Sequence, residues 1–410
     1  MQFSDLHLNQ SILKILTEER HHKATLVQQK VIPLVLDKKD VIVASQTGSG
    51  KTAAFALPII NELAKEPDAE KGGKKIKALI ISPTRELAIQ IEENFKTYSK
   101  YTNIRTAAVF GGMSTKPQKE LLFKGVDVLI ATPGRLIDLH KQGSVDLSLL
   151  KTFVLDEADL MLDMGFIKDV KSIEALCPRK KQTLLFSATM PEKVTDLAKS
   201  MLYKPEKVSI VPTENTANNI GQLLYYTPKK NKVDLCLHLL RNTIKGRIII
   251  FRRTKFGVDK LEKTLLKNGY KATSVHGDKS QVLRNEAIEN FKNNKANILI
   301  ATDVAARGID ISKVDAVINV DLPNVPETYV HRIGRTGRAG KSGIAFSLCS
   351  ADETSYIKAI QEYTKRSIKV IEDHPFPLTK PKKKKQPNTI SKHKKGRKSE
   401  ASKKKKKRWY

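Results

Sequence analysis

Nine short apolar runs, each bounded by turn-forming residues, constrain this chain more than any other feature. Five lie in the first half, at residues 40–44 (DVIVA), 78–82 (ALIIS), 126–130 (VDVLI), 152–156 (TFVLD) and 183–187 (TLLFS). Four lie in the second, at 247–251 (RIIIF), 297–301 (NILIA), 316–320 (AVINV) and 344–348 (IAFSL). The runs of the first half lead into stretches of helical spacing, such as 85–98 and 191–202. Near-continuous apolar strands alternating with helices predict parallel sheets covered on both faces, an α/β class. With 410 residues the chain is too long for one core, at roughly 150 residues per domain. The polar, turn-rich segment 212–221 (PTENTANNIG) separates the halves. The expected organisation is a first domain over 1–211, a linker over 212–221, a second domain over 222–378 and a disordered basic tail over 379–410.

Composition excludes several classes. An apolar share of 40% is too high for a wholly disordered chain. No stretch reaches the roughly 18 uninterrupted apolar residues of a membrane span, and the first residues lack a secretory pattern. Cys177, Cys236 and Cys349 are far apart and form no CxxC pair, which fits neither a zinc site nor a disulfide framework and suggests a reducing compartment. The net charge is +31, and about half of it (14 Lys and 2 Arg against 1 Glu) lies in the last 31 residues. Such a tail repels itself and attracts polyanions, so nucleic acid is the first partner to consider.

The sharpest local feature is residues 44–52 (ASQTGSGKT), which follow a strand and open a helix. A phosphate chain needs inward-pointing N–H groups, which a glycine-rich turn allows at close approach, and the helix adds its positive dipole end. The expected nucleotide cradle is Ser45, Gln46, Thr47, Gly48, Ser49, Gly50, Lys51 and Thr52, with Lys51 on the β/γ-phosphates and the Thr52 hydroxyl on Mg²⁺. Ser45 stands where the GxxxxGK[ST] pattern has its first glycine. Asp156 and Glu157 end another strand, the place where open α/β sheets bind ligands. Asp156 is expected to hold Mg²⁺ through water and Glu157 to orient and deprotonate an attacking water.

The phosphate loop, the Asp156-Glu157-Ala158-Asp159 run and Ser187-Ala188-Thr189, in that order, resemble the DEAD-box RNA helicases of superfamily 2 over residues 3 to 378. The resemblance implies two tandem RecA-like domains with ATP between them and RNA lying across both. It casts Phe3 and Gln28 as adenine readers, although Arg20, His21 and Ala24 stand where the family has Gly, an aromatic and Pro. It assigns Pro83, Thr84, Arg85, Gly111, Gly112, Thr132, Pro133, Gly134 and Arg135 to the RNA backbone in the first domain. Thr254, Gln281, Arg284, Thr302 and Asp303 are their counterparts in the second. Ser187, Ala188 and Thr189 are similar to the element coupling hydrolysis to unwinding. Residues 301–310 (ATDVAARGID) and 331–338 (HRIGRTGR) match the late motifs, with Gly308 and Asp310 toward the nucleotide, His331 linking the ATP and RNA sides, and Arg335 and Arg338 as arginine fingers. His276 receives no chemistry.

The expected activity is RNA-stimulated ATP hydrolysis that closes two lobes and opens a short duplex, with ATP as substrate, Mg²⁺ as cofactor and little base preference. The alternatives are a superfamily relative that moves on DNA and a non-unwinding RNA clamp. The compact core, short lead and lysine tail resemble bacterial members, the RhlE-like group above all. Ribosome assembly, messenger decay and cold adaptation are compatible settings, with a cytoplasmic location, or a nuclear or nucleolar one for a eukaryotic source. Trp409 and Tyr410 offer rings that could stack on bases, but the favoured reading is unstructured chain end. Cutting the chain after Thr379 is expected to weaken RNA binding and flatten its dependence on salt, while ATPase turnover at saturating RNA stays near the full-length value. Titrations at several salt concentrations check this.

Overall fold

The computed structural model describes residues 1–378 apart from 46–47, 66–74, 211–219, 307–313 and 338–342. Most of the expected linker and the whole tail therefore lie outside the described residues. The first lobe contains β1 (Val41–Ser45), β2 (Ala78–Ile81), β3 (Thr106–Val109), β4 (Val128–Ala131), β5 (Thr152–Leu155), β6 (Gln182–Ser187) and β7 (Glu206–Ile210). They form one sheet in the order β3-β4-β2-β5-β6-β1-β7, every pair parallel. The second lobe contains β8 (Ile220–Tyr226), β9 (Ile248–Phe251), β10 (Ala272–Val275), β11 (Ile298–Ala301), β12 (Ala316–Asn319), β13 (Gly343–Cys349) and β14 (Lys369–Val370). Their order is β10-β11-β9-β12-β13-β8-β14, again all parallel. Adding seven to each strand number of the first sheet gives the second. Ile220 and Gly221, expected at the end of the linker, are the first residues of β8.

The continuous apolar runs are explained by what covers the strands. Val41 and Val43 join one core with Ile80, Ile130, Val154 and Phe186, whereas Ile42 joins the opposite core with Leu79, Leu129, Phe153 and Leu185. The second sheet is divided in the same way, Ile249 and Phe251 on one side and Ile248 and Ile250 on the other. Alternate side chains enter two different cores, so every position must be apolar. Phe55, on the helix Lys51–Leu63 that follows β1, anchors one core with its ring centroid 5.1 Å from Phe186 and 6.2 Å from Phe95. All three cysteines are free, and burial pushes the thiols of Cys236 and Cys349 up to about 12. Among the described residues no helix is long and apolar enough to cross a membrane.

The second sheet contains an ion cluster at the position that β1 and its helix occupy in the first. Lys232 begins the helix Lys232–Asn242 after β8, and its Nζ, buried, pairs with Glu353 and donates to the Val320 carbonyl at 2.8 Å. Asp321, two residues beyond β12, lies 3.9 Å from the same nitrogen. Arg253 adds a contact to Glu353 at 3.1 Å, and the Leu322 N–H donates to Glu353 at 3.3 Å.

The first helix, Gln10–Glu18, ends in a Schellman pattern, with Arg20 N–H to the Thr17 carbonyl at 3.0 Å and His21 N–H to the Leu16 carbonyl at 2.8 Å. The motif places Arg20 at φ +57°, the left-handed region, which costs a non-glycine residue roughly 1–2 kcal/mol. Arg20→Gly is therefore expected to stabilise the first lobe by about 1 kcal/mol after the extra chain entropy of glycine is subtracted. The midpoint of its urea transition measures this.

Candidate functional site

The carboxyl ends of β5, β6 and β1 lie side by side, and each delivers part of one site. After β1 the chain turns through Gly48 and Gly50, at φ +80° and +93°, before the helix begins at Lys51. Gly50 is required twice. Its φ is left-handed, and a Cβ there would lie 2.5 Å from Gln28 Nε2 and 3.1 Å from Thr25 Oγ1. The Ser45 hydroxyl, at the departure from the glycine pattern, donates to Ser49 Oγ at 2.7 Å and so ties the two ends of the turn. Gln28 sits in a capping box with Thr25: its Oε1 accepts the Thr25 N–H at 2.8 Å while its Nε2 donates to the Gly50 carbonyl at 3.2 Å. Gln28 is thereby linked to the glycine turn.

After β5, Glu157 takes φ +53° and ψ +53°, a strained backbone for a residue with a side chain. This turn carries its carboxylate to Lys51, with Nζ to Oε1 at 2.8 Å and the lysine side chain only 6% exposed. Burial opposes the charge on Lys51, but Glu157, Asp156 and Asp159 outweigh it and raise its pKa. Asp156 is pushed up to about 7, first by burial and then by the Glu157 carboxylate, with Lys51 pulling the other way. Three acids therefore face one cation, a set short of positive charge.

Asp159 fastens β5 to β6. Its Oδ2 accepts the Thr189 N–H and the Thr189 hydroxyl, both at 2.9 Å, and its own N–H donates to the Ser187 hydroxyl at 3.2 Å. Ser187 Oγ in turn donates to the Thr189 carbonyl at 2.6 Å. Sequence reasoning gave Asp159 no task beyond its place in the run.

These groups line a cavity of about 720 Å³ that both lobes enclose. Phe3, His21, Gln28 and Tyr98 lie on its first-lobe wall together with Lys51, Thr52, Asp156 and Glu157. The second lobe contributes Val325, Glu327, His331 and Arg335 from the helix Pro326–Ile333 and its ends. The cluster 331–338 is not uniform. Arg335, 8% exposed, reaches the cavity, whereas Arg332 turns inward and forks onto Asp303 at 2.5 and 2.7 Å, onto Asn319 at 3.0 Å and over the Phe251 ring. Asp303, expected on the RNA side, is thus held by Arg332. Gln46, Thr47, Gly308, Asp310 and Arg338 lie outside the described residues.

A second constellation spans the lobes. Thr84 after β2 and Thr254 after β9, the matching strand, each cap a helix, accepting N–H groups of Leu87 at 3.4 Å and Gly257 at 3.0 Å. Pro83 precedes that first cap, and Pro133 opens the helix that starts after Thr132 at the end of β4. Gly111 and Gly134 leave open space where a Cβ would point. A Cβ on Gly112 would lie 2.1 Å from Arg85 Nη2, so the glycine admits the guanidinium, which stacks over Phe110. Arg135 donates to the Met113 carbonyl at 2.9 Å, and its Nη1 is buried without a partner. Thr302 ends at the start of the short helix Asp303–Ala306, its carbonyl accepting the Ala306 N–H at 2.9 Å. Gln281 and Arg284 cross to the first lobe and meet Glu86 at 3.3 and 2.8 Å. Burial lowers the pKa of Arg85, Glu86 opposes this, and Arg284 and Arg135 add to it. Glu86 was missed because an acid in the first turn of a helix reads as a dipole partner.

A glycine turn after β1, acids after β5 two strands away and an arginine from a second like lobe define a P-loop nucleotide hydrolase of tandem RecA-like build. Comparisons narrow the class. The DEAD/DEAH box helicase family matches residues 25–197 and the helicase conserved C-terminal domain residues 231–340. The DEAD-box ATP-dependent RNA helicase RhpA of Helicobacter pylori is 44% identical over 90% of this chain and 74% of its own length. The ATP-dependent RNA helicase RhlB of Shewanella pealeana is 41% identical over 90% and 85%. S. cerevisiae Dbp5 bound to RNA and ADP BeF3 superposes with a TM-score of 0.81 at 31% identity, over 90% of this chain and 95% of that one. The chain belongs to the DEAD-box ATP-dependent RNA helicases.

Gly50→Ala is expected to lower nucleotide affinity tenfold or more, because it adds left-handed strain and drives the Gln28 amide off the loop. Titration with a fluorescent nucleotide reads the loss.

Proposed function

We propose that the cavity between the lobes binds ATP with its phosphates on the turn 45–52, and that hydrolysis requires Arg335 from the opposite wall. The shared lining of that cavity carries the reading, since Lys51 and Glu157 stand on one side and His331 and Arg335 on the other. Lys51 is neutralised by Glu157. Phosphates entering the turn take over the lysine, and Glu157 is released to orient a water and accept its proton. Arg335 then meets charge developing on the γ-phosphate, and Arg338 is assigned the same task. Thr52 and Asp156 would hold Mg²⁺. The residues fit such an ion, because a buried carboxylate pushed up to about 7 beside a second acid is short of positive charge. Among the described residues no group of three or more His, Cys, Asp or Glu is placed to hold a metal ion. When bound, the ion neutralises phosphate charge.

Phe3, Gln28 and His21 form the base side of the same cavity. RNA is assigned to the second constellation, where hydroxyls, helix starts and guanidinium groups suit phosphates and carry no base preference. Asp159, Ser187 and Thr189 tie the acid strand to the end of β6, and the coupling of hydrolysis to unwinding is assigned to this tie. Closure of the lobes thus joins ATP and RNA in one equilibrium, so each raises the affinity of the other. Cytoplasmic work on ribosomal or messenger-decay particles, and a place near the RhlE-like group, complete the proposal; the basic composition and compact core support them.

Two substitutions divide the roles. Glu157→Gln is expected to retain ATP and RNA binding while single-turnover hydrolysis falls at least a hundredfold. Arg335→Ala is expected to lose roughly 10³-fold in hydrolysis at saturating RNA. Hydrolysis that is equally fast with and without RNA would contradict the shared cavity as the seat of reaction.

A further inference from the structure

The helix starts that hold Thr254 and Gln281 also present side chains that the mechanism leaves unused. Phe256 is 75% exposed, Val282 76% and Leu283 51%. Four large apolar side chains are more than 70% exposed among the described residues, and two of them belong to this pair of helix starts. Single exposed apolar residues are ordinary, whereas several on one face mark a contact surface. They are also held in place. Lys255 pairs with Asp278 at 2.5 Å, Lys279 with Glu262 at 3.2 Å, and buried His276 places Nε2 2.8 Å from Asp259. These contacts lay the loop before Ser280 along the helix Lys255–Lys267 and bring the two helix starts to one edge of the lobe.

The setting is cationic. Arg284, one residue beyond Leu283, reaches Glu86 and shares a field with Arg85 and Arg135. A polynucleotide offers phosphates to the guanidinium groups and flat apolar base faces to a ring and its aliphatic neighbours.

We propose that Phe256, Val282 and Leu283 form an apolar bracket on the second lobe that packs against the nucleobase face exposed at the end of a base-paired RNA segment. The proposal rests on the reading that Thr254, Gln281 and Arg284 face RNA. Phosphate contacts hold paired and unpaired strands alike. Base faces inside a duplex are covered by their neighbours and become available only at an end or at an opened pair. A group that binds such a face favours the opened state over the closed one and shifts that equilibrium. The bracket therefore acts on strand separation, not on retention of single strands.

The test uses the full chain with Phe256→Ser, Val282→Ser and Leu283→Ser combined; all three positions are exposed, so the fold keeps its core. Displacement of a short duplex with a single-stranded overhang is expected to slow tenfold or more. ATPase stimulated by a single-stranded homopolymer is expected to stay within about twofold. A fluorescent base analogue at the duplex end should change emission on binding the parent chain and not the variant. Displacement at the parental rate overturns the bracket and leaves the patch to a protein partner. Loss of single-strand stimulation also overturns it, by placing these residues in backbone binding. Arg284→Ala, assayed alongside, is expected to lose single-strand stimulation; if it does not, the underlying assignment of the RNA face fails, and the bracket with it.

Discussion

The pairing of Lys51 with Glu157 organises the first lobe around a charge that has been taken out of water. A lysine this deeply buried keeps its proton only because carboxylates surround it. Glu157 reaches it only because its backbone accepts a left-handed turn. Desolvation makes such a pair a weak source of stability, and removing either partner leaves the other exposed to the full penalty. Its value lies in being replaceable. In the proposed reading a polyphosphate substitutes for the acid at the lysine and frees the acid to hold a water. The strain, the burial and the chemistry are three aspects of one arrangement.

Hydrogen bonds carry that arrangement outward. Asp159 bonds to both ends of the Ser187–Thr189 segment, so a displacement at β5 is felt at β6. On the other lobe Arg332 binds Asp303, Asn319 and the Asp321 carbonyl, which fixes the helix bearing His331 and leads to Arg335. The two lobes meet again at Glu86, where Gln281 and Arg284 converge. The cavity and the Glu86 contact are thus two separate places at which the same pair of lobes meets.

Most central strands were legible in the sequence because burial on both faces forces every residue to be apolar. Of the missed strands, β3, β7, β10 and β14 are the edges of their sheets, whereas β8 lies one strand in, covered on its outer side only by the two-residue β14, and is only partly buried along its length. β3 reads TAAV and β10 ATSV, patterns that half-covered edges tolerate and that resemble loops. The phosphate turn and the acids were legible from short-range spacing. Glu86, Tyr98 and the structural use of Arg332 were not, since their significance depends on partners far away in the chain. Residues 331–338 contain three arginines, of which the resemblance singled out Arg335 and Arg338, and packing shows why Arg332 differs: it is bound into the core while Arg335 lies in the cavity.

The matching strand orders pose a question of symmetry, and Lys232 answers it. It opens the helix after β8 as Lys51 opens the helix after β1, and Asp321 follows β12 at the interval by which Glu157 follows β5. The connection 227–231 (TPKKN) has no glycine to admit a polyphosphate, and Glu353 already holds the lysine from within. One socket is open and its twin is plugged by the chain itself. Of two lobes built on one strand order, only the first therefore keeps at this position a glycine turn ahead of its lysine.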